Sequence, residues 1–373
     1  MMFNWNNSEF DTPPTANNIQ NYPTMLDILN SMLFDFSMNT VGQEYTYLGN
    51  MHKGLYHACA IKERSNIVVL NPQGLTTNMR FRGQQHYYQT CLSSYDRLAD
   101  ERKQLLAQLH FAEFETLLYT HPVINFFRCS YVNVKSVGNV WFYVDFEGLA
   151  QHYGIPTRVF DFSNDLSTAA FFSVTSYDSK TDSYTPYIPN ENIKLEDKYG
   201  VLYYYDVMIP NLDTNSRPLG MSFFNRPGAQ SGYAYTLNDN KDLNLEPRVK
   251  KLFFKHDGYV SKMIYNNLAK GKLLFPTDTL CGKAKEICHF DKCSKLAFDL
   301  WTKRTSCEKT PEELKEMLEG FQIEIVDIPW VSFSEEEKKK IGIIGILVVK
   351  SISCKKSILF LFFMFDISII QII

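Results

Sequence analysis

The sequence predicts an α+β protein with a mixed, largely antiparallel sheet and flanking helices. Three observations lead there. Short apolar runs of strand length, such as Gly200 to Val207 and Val249 to His256, are interspersed with segments of helical spacing, without regular βαβ alternation. The 373 residues, enough for one large domain or two ordinary ones, carry no internal repeat, and a hydrophobic fraction of 45% with 21% charged residues suits a soluble globular protein. Finally, Gln151 to Ser163 crowds a turn, an imidazole, a guanidinium, a carboxylate and hydroxyls into one short span, as a rigid scaffold does when it presents polar groups at a strand end.

Along the chain, Met1 to Tyr22, rich in Asn, Pro and Thr, reads as a flexible arm. Met25, Ile28, Leu29, Met32 and Leu33 fall on one helical face, which either packs on the main domain or binds a partner. Asn66 to Leu70 and Asn78 to Gly83 read as strands split by a Pro72-Gln73-Gly74 turn. Tyr95 to Thr120 has helical spacing and ends before Pro122. The apolar run Val140 to Tyr153 delivers His152 at its end, where Gly154 and Pro156 break it. Thr157 to Phe162 alternates as a strand with Val159 inward, and Ser163-Asn164-Asp165 caps a helix from Leu166 to Phe172.

Tyr177 to Lys198 is polar and reads as a surface loop. Gly200 to Val207 is a buried strand, Pro227-Gly228 a turn, and Gln230 to Tyr235 and Val249 to His256 further strands. A helix at Tyr259 to Lys270 comes next. Pro276-Thr277-Asp278 caps one long helix through Trp301, and Phe321 to Ile328 is the last strand. The expected organisation is an arm and helix at 1–65, a main domain at 66–335 and an apolar tail at 336–373. Composition changes abruptly after Lys338-Lys339-Lys340. From Ile341 the chain reads as a frameshifted segment, with a core strand or a membrane-touching tail as alternatives, because neither apolar run reaches the ~20 residues that span a bilayer.

Charge and motif content exclude several classes. A net charge of −3 gives no global basic field for nucleic acid, and neither a basic stripe nor a carboxylate metal cluster supports a nuclease. Eight irregularly spaced cysteines and a polar start without a secretory signal point to a reducing, cytoplasmic compartment and away from a membrane. Cys281, Cys288, His289 and Cys293 lack the short spacing that lets thiolates converge on zinc, so no metal is expected. No Walker loop, dinucleotide glycine fingerprint or nucleophile elbow is present.

The remaining candidates are polar side chains near predicted strand ends. Arg82 offers a planar donor fork for phosphate or carboxylate, and Gly83 would let a ligand approach the backbone. Alternatively, Arg82 makes a buried ion pair with Asp161. His152, Thr157, Arg158 and Asp161 form a second cluster. There His152 is a general base, a donor to a nucleotide, or a core histidine bonded at a helix end.

Phe81-Arg82-Gly83-Gln84, Ser93 with Arg97, Gln151 to Asp161, and Ala169 with Phe172 together resemble the FRG domain family. The resemblance is specific from Arg82 to Phe172 and loose from about Tyr199 to Pro329. The chain is also similar to the Arg-Ser-Glu ADP-ribosyltransferases, in Arg82-Gly83 and in Ser163 ahead of Ala169 and Phe172. That likeness implies an ADP-ribosyltransferase-like core in which Arg82 holds the pyrophosphate or ribose of NAD and Ser163 its nicotinamide ribose. Where that family has a catalytic Glu this chain has Gln230, which bonds a ribose hydroxyl but cannot act as a base. The expectation is therefore a nucleotide pocket, with NAD as the candidate substrate and no resident cofactor. Arg82, His152, Ser163 and Gln230 are its reacting groups, and Arg82, Gly83, Gln84, Thr157, Arg158 and Asp161 its binding groups. It would serve transfer or glycohydrolysis in a bacterial or phage-like toxin or anti-phage setting. The alternative is a sensor or interaction module with a protein partner, in which the polar cluster braces the fold.

Overall fold

The structure is a computed structural model that describes residues 8–39, 56–61, 64–72, 79–129, 131–134, 138–190, 192–207, 215–219, 224–238, 240–305, 309–341 and 367–371. Its centre is a six-stranded sheet of β1 (Met79–Gln84), β2 (Phe160–Ser163), β3 (Tyr199–Asp206), β4 (Ser216–Pro218), β5 (Gly232–Tyr235) and β6 (Lys250–Lys255). The spatial order is β4-β5-β2-β1-β3-β6, and every neighbouring pair is antiparallel. The fold is α+β, as expected. β3 is buried from Tyr199 to Tyr205, which is why it reads as an unbroken apolar run rather than an alternation.

Four helices flank the sheet or deliver residues to its ends: α1 (Met25–Asn39), α2 (Glu101–Tyr119), α3 (Phe146–His152) and α4 (Leu166–Val174). α4 packs on β1, and their apolar residues share one core with β3 and β6. Met25, Ile28 and Met32 of α1 are buried in that same core, so this helix packs on the sheet. The preceding segment is docked as well. Phe10, Ile19 and Tyr22 are buried, and Lys255 binds the Gln20 and Pro23 carbonyls. An arm was expected there because polar composition hides three well-spaced apolar anchors.

The strands Arg64–Pro72 and Met79–Gln84 are not a hairpin. The first belongs to a separate five-stranded sheet, in the order Tyr56–Ile61, Arg64–Pro72, Gly138–Phe142, Tyr131–Val134, Ile367–Gln371. Within it Arg64–Pro72 and Gly138–Phe142 run parallel. The Gln73-Gly74 part of the expected turn lies outside the described residues, as does most of the tail after Ile341.

The long helix expected through Trp301 is two helices, Thr279–His289 and Lys295–Arg304, with the short strand Lys292–Ser294 between them. That strand pairs in parallel with Glu324–Val326. The break has a tertiary cause. The Ser294 amide donates to the buried Glu113 carboxylate, and the Ser294 hydroxyl caps the second helix at Ala297. Side-chain bonding at a Ser competes with helix continuation. Within Tyr177 to Lys198, expected as a loop, lies the strand Ser183–Pro186, which forms a hairpin with Thr175–Asp178.

Candidate functional site

The Gln151 to Ser163 stretch folds as its chemistry dictates. Asp145 caps α3 through the Gly148 amide. At the other end Gly154 adopts φ +89°, the left-handed region that glycine enters freely. The Gly154 amide then donates to the Gln151 carbonyl and the Ile155 amide to that of Ala150, closing the helix by the double reversal that glycine permits. This fixes His152 in the last turn. The chain passes through Pro156 and Thr157 and enters β2, where Asp165 caps α4 through the Ser167 and Thr168 amides.

Between the end of β1, β2, the first turns of α4 and the Thr175–Pro186 hairpin lies a cavity of about 440 Å³. Arg82, Gly83, Gln84, His152, Asp161, Ser163 and Gln230 all line it, so side chains separated by up to 148 positions (230 − 82) meet at one open hollow. Thr157 and Arg158 do not. Thr157 is buried behind the wall, where its hydroxyl donates to Gln151 Oε1 at 2.9 Å. Arg158, which precedes β2, is exposed, with its guanidinium 4.6 Å above the Tyr95 ring.

Each lining residue has a definite local state. Arg82 Nη1 donates to the main-chain carbonyl of Asp161 at 2.9 Å, not to its carboxylate. Among the described residues no carboxylate forms an ion pair with the guanidinium, and its buried Nε has no acceptor. The Asp161 carboxylate turns the other way. Its Oδ2 accepts from Gln151 Nε2 at 3.1 Å, and Oδ1 stands 3.3 Å from His152 Nε2. The His152 side chain is only 3% exposed. Burial pushes its pKa down and Arg226 adds to this, while Asp161 and Gln230 oppose it, so the ring is neutral near pH 7. Gly232 makes room for it, because a Cβ there would stand 2.6 Å from His152 Cε1.

Two expected roles change. Gly83 lines the cavity and also serves packing: a Cβ there would stand 1.8 Å from the Ala169 carbonyl oxygen, so glycine is what lets α4 lie on β1. The Ser163 hydroxyl is already engaged. It donates to the Gln230 carbonyl at 2.7 Å and accepts from the Asp165 amide at 2.9 Å, fastening β2 to the turn before β5. The Gln230 side chain likewise donates to the Leu274 carbonyl at 3.0 Å.

The cavity also has walls that sequence reasoning missed. Arg97 lines it with an exposed guanidinium that has no partner among the described residues. Its loop is held by the Ser93 hydroxyl on Asp96 and by Asp242 on the Cys91 amide. Tyr177, Tyr184 and Phe172 form an aromatic rim, with Tyr184 stacked on Phe275 at 4.9 Å. Burial pushes the Tyr184 phenol up to about 12, so it remains a neutral donor. The readable signal was the Asp178-Ser179-Lys180-Thr181-Asp182 turn between two tyrosine-bearing strands. Among the described residues no group of three His, Cys, Asp or Glu could hold a metal ion, and no helix is long and apolar enough to cross a membrane.

The fold and this cavity define an α+β domain that gathers its polar motif residues at the ends of antiparallel strands. The family model of the FRG domain matches residues 77–182, and that part of the chain is an FRG domain. It contributes β1, α2, α3, β2, α4 and the hairpin strand that brings Tyr177. No curated protein and no solved structure matches the chain.

Proposed function

We propose that the cavity binds a phosphate-bearing nucleotide, with NAD as the first candidate. The observation that carries this reading is the state of Arg82. A half-buried guanidinium with one main-chain bond and an unmet Nε donor faces an open hollow, and the Asp161 carboxylate at the same hollow is held by Gln151. An anion with planar oxygens would satisfy that fork. Arg97 adds a second cation at the same hollow, and the tyrosine rim offers faces on which a base can stack. ADP-ribosyl transfer or glycohydrolysis has weaker support. Ser163 and Gln230 are both occupied by the fold, and Gln230 cannot act as a base. Among the described residues, Asp161 is the one carboxylate at the cavity that could face a developing positive charge on a ribose.

Calorimetric titration with NAD is the test. Binding is expected in the micromolar range. Arg82→Ala should weaken it a hundredfold or more, about 3 kcal/mol for a charged hydrogen-bonding group. Undiminished binding by Arg82→Ala would remove the assignment. A second reading, a non-enzymatic interaction module, is favoured by the completeness of the Gln151–Thr157–Ser94 bonding. It gains if Arg82→Ala and His152→Ala both unfold the protein and NAD does not bind.

A further inference from the structure

Among the described residues, two polar atoms at the cavity are buried, face each other and have no hydrogen-bond partner: His152 Nε2 and Asp161 Oδ1. They stand 3.3 Å apart, yet the direction between them is wrong for a bond. Neither can move freely towards the other. Asp161 is held through Oδ2 by Gln151, which is itself clamped by Ser94 and Thr157. The His152 ring is wedged against Gly232. A fixed donor and a fixed acceptor left unmet side by side, in a cavity with room for a guest, are complementary to one chemical group.

We infer that the His152–Asp161 pair reads a hydroxyl of the ligand's sugar, accepting its proton at Asp161 Oδ1 and donating to its oxygen from His152 Nε2. This rests on the nucleotide reading and sharpens it: the ligand's sugar carries a free hydroxyl at the position where the pair stands. A hydroxyl alone among common ligand groups is both donor and acceptor at a single atom, so one group satisfies both orphans. A phosphate oxygen would meet the Asp161 carboxylate with like charge. The neutral state of His152 fits the same role, because a neutral ring with Nε2 protonated is a single donor. Discrimination of this type is strong, since a ligand lacking the hydroxyl leaves both buried groups unpaired.

The test compares NAD with analogues lacking the 2′- or the 3′-hydroxyl of either ribose, by titration on the full chain. Wild-type protein should bind at least one analogue tenfold or more weakly than NAD. Asp161→Asn should erase that ratio to within twofold. Gln151 would hold the amide oxygen at the Oδ2 position and present the amide nitrogen, a donor, where the acceptor stood. If Asp161→Asn does not fold, judged by its thermal transition, His152→Leu supplies the same comparison by removing the donor. Equal binding of NAD and all analogues by the wild type, or a ratio that survives both substitutions, overturns the hydroxyl assignment and leaves the nucleotide pocket standing. Absence of NAD binding by the wild type overturns both.

Discussion

The cavity has two walls in opposite states. On one, Gln151 accepts from Ser94 and Thr157 and donates to Asp161, the Thr157 amide donates back to Ser94, and Ser163 fastens β2 to the turn before β5. On the other, Arg82 Nε, His152 Nε2 and Asp161 Oδ1 have no partner among the described residues, and Arg97 is an exposed cation. The motif residues thus divide by bonding state rather than by position in the sequence. Closed networks hold geometry, and unmet buried groups cost stability unless a ligand meets them. Substitutions on the closed wall should therefore appear in stability, and those on the open wall in binding.

The largest effect should come from the support beneath both walls. Gly83→Ala would drive a Cβ into the Ala169 carbonyl oxygen at 1.8 Å and the Ser173 Cβ at 2.8 Å. The first contact is with main chain and cannot rotate away, so α4 must lift from β1. A loss of about 3 kcal/mol is expected, at the upper end of overpacking costs. Chemical denaturation of the variant checks this. A wild-type midpoint would show that the helix moves freely over the strand and that neither wall is rigid.

Acid should act next, and through the closed parts of the molecule. Burial pushes His121 and His256 down to about 4. His121 Nδ1 accepts the Ile124 amide at 3.4 Å, at the start of the helix Pro122–Cys129. Protonation would remove that acceptor and add a cation to the positive end of a helix dipole. Both groups have folded values below their unfolded one. Their contribution is fully present above about 6.5 and is lost as pH falls from there towards 4. Between pH 7.5 and 5.5 the two together should cost up to about 2.5 kcal/mol. Glu113 and Glu147, pushed up by burial, act in the opposite sense, because the folded state holds their protons more tightly than the unfolded chain does. Burial pushes His110 and His152 down as well, so replacing His121 with Asn should remove part of the acid sensitivity; an unchanged slope would place it elsewhere.

Gln151→Ala tests the closed wall itself. It deletes three hydrogen bonds and frees the Asp161 carboxylate, so about 2 kcal/mol of stability should go. Binding should weaken at the same time, because Asp161 loses its fixed direction. Stability loss without any change in affinity would show that the two walls are independent.

Much of this division was legible in the sequence, and the illegible parts have identifiable causes. Arg82, His152, Asp161 and Gln230 could be placed together because each sits at a strand or helix end next to a turn former, and such ends converge in an antiparallel sheet. The role of Gly83 could not be read. Glycine at a strand end suits a ligand or a helix equally, and only the position of α4 decides. Arg158 looked equivalent to Arg82, but it lies ahead of β2, in the connection after α3, and its guanidinium sits over Tyr95. The Tyr177 and Tyr184 rim was hidden in a polar segment whose hairpin is shaped by its turn and by burial of Tyr184 against Phe275, a contact 91 positions away (275 − 184).

Arg97→Ala should have the smallest effect on stability and gives the sharpest separation of the two walls. The side chain is exposed and has no partner among the described residues, so its removal should change stability by no more than about 0.5 kcal/mol. The Ser93–Asp96 bond that shapes its loop does not depend on the guanidinium. A nucleotide phosphate, however, would lose one of the two cations that line the hollow without a carboxylate partner. NAD affinity should fall roughly tenfold, about 1.4 kcal/mol, and the loss should shrink at high salt because the contact is solvent-exposed. Titration at low and high ionic strength measures both. An affinity indifferent to Arg97 at every salt concentration would confine the anion to Arg82 and shift the guest towards the His152–Asp161 end of the cavity. A large stability loss would instead move Arg97 to the closed wall, and the two-wall division would fail at the residue where it is most clearly drawn.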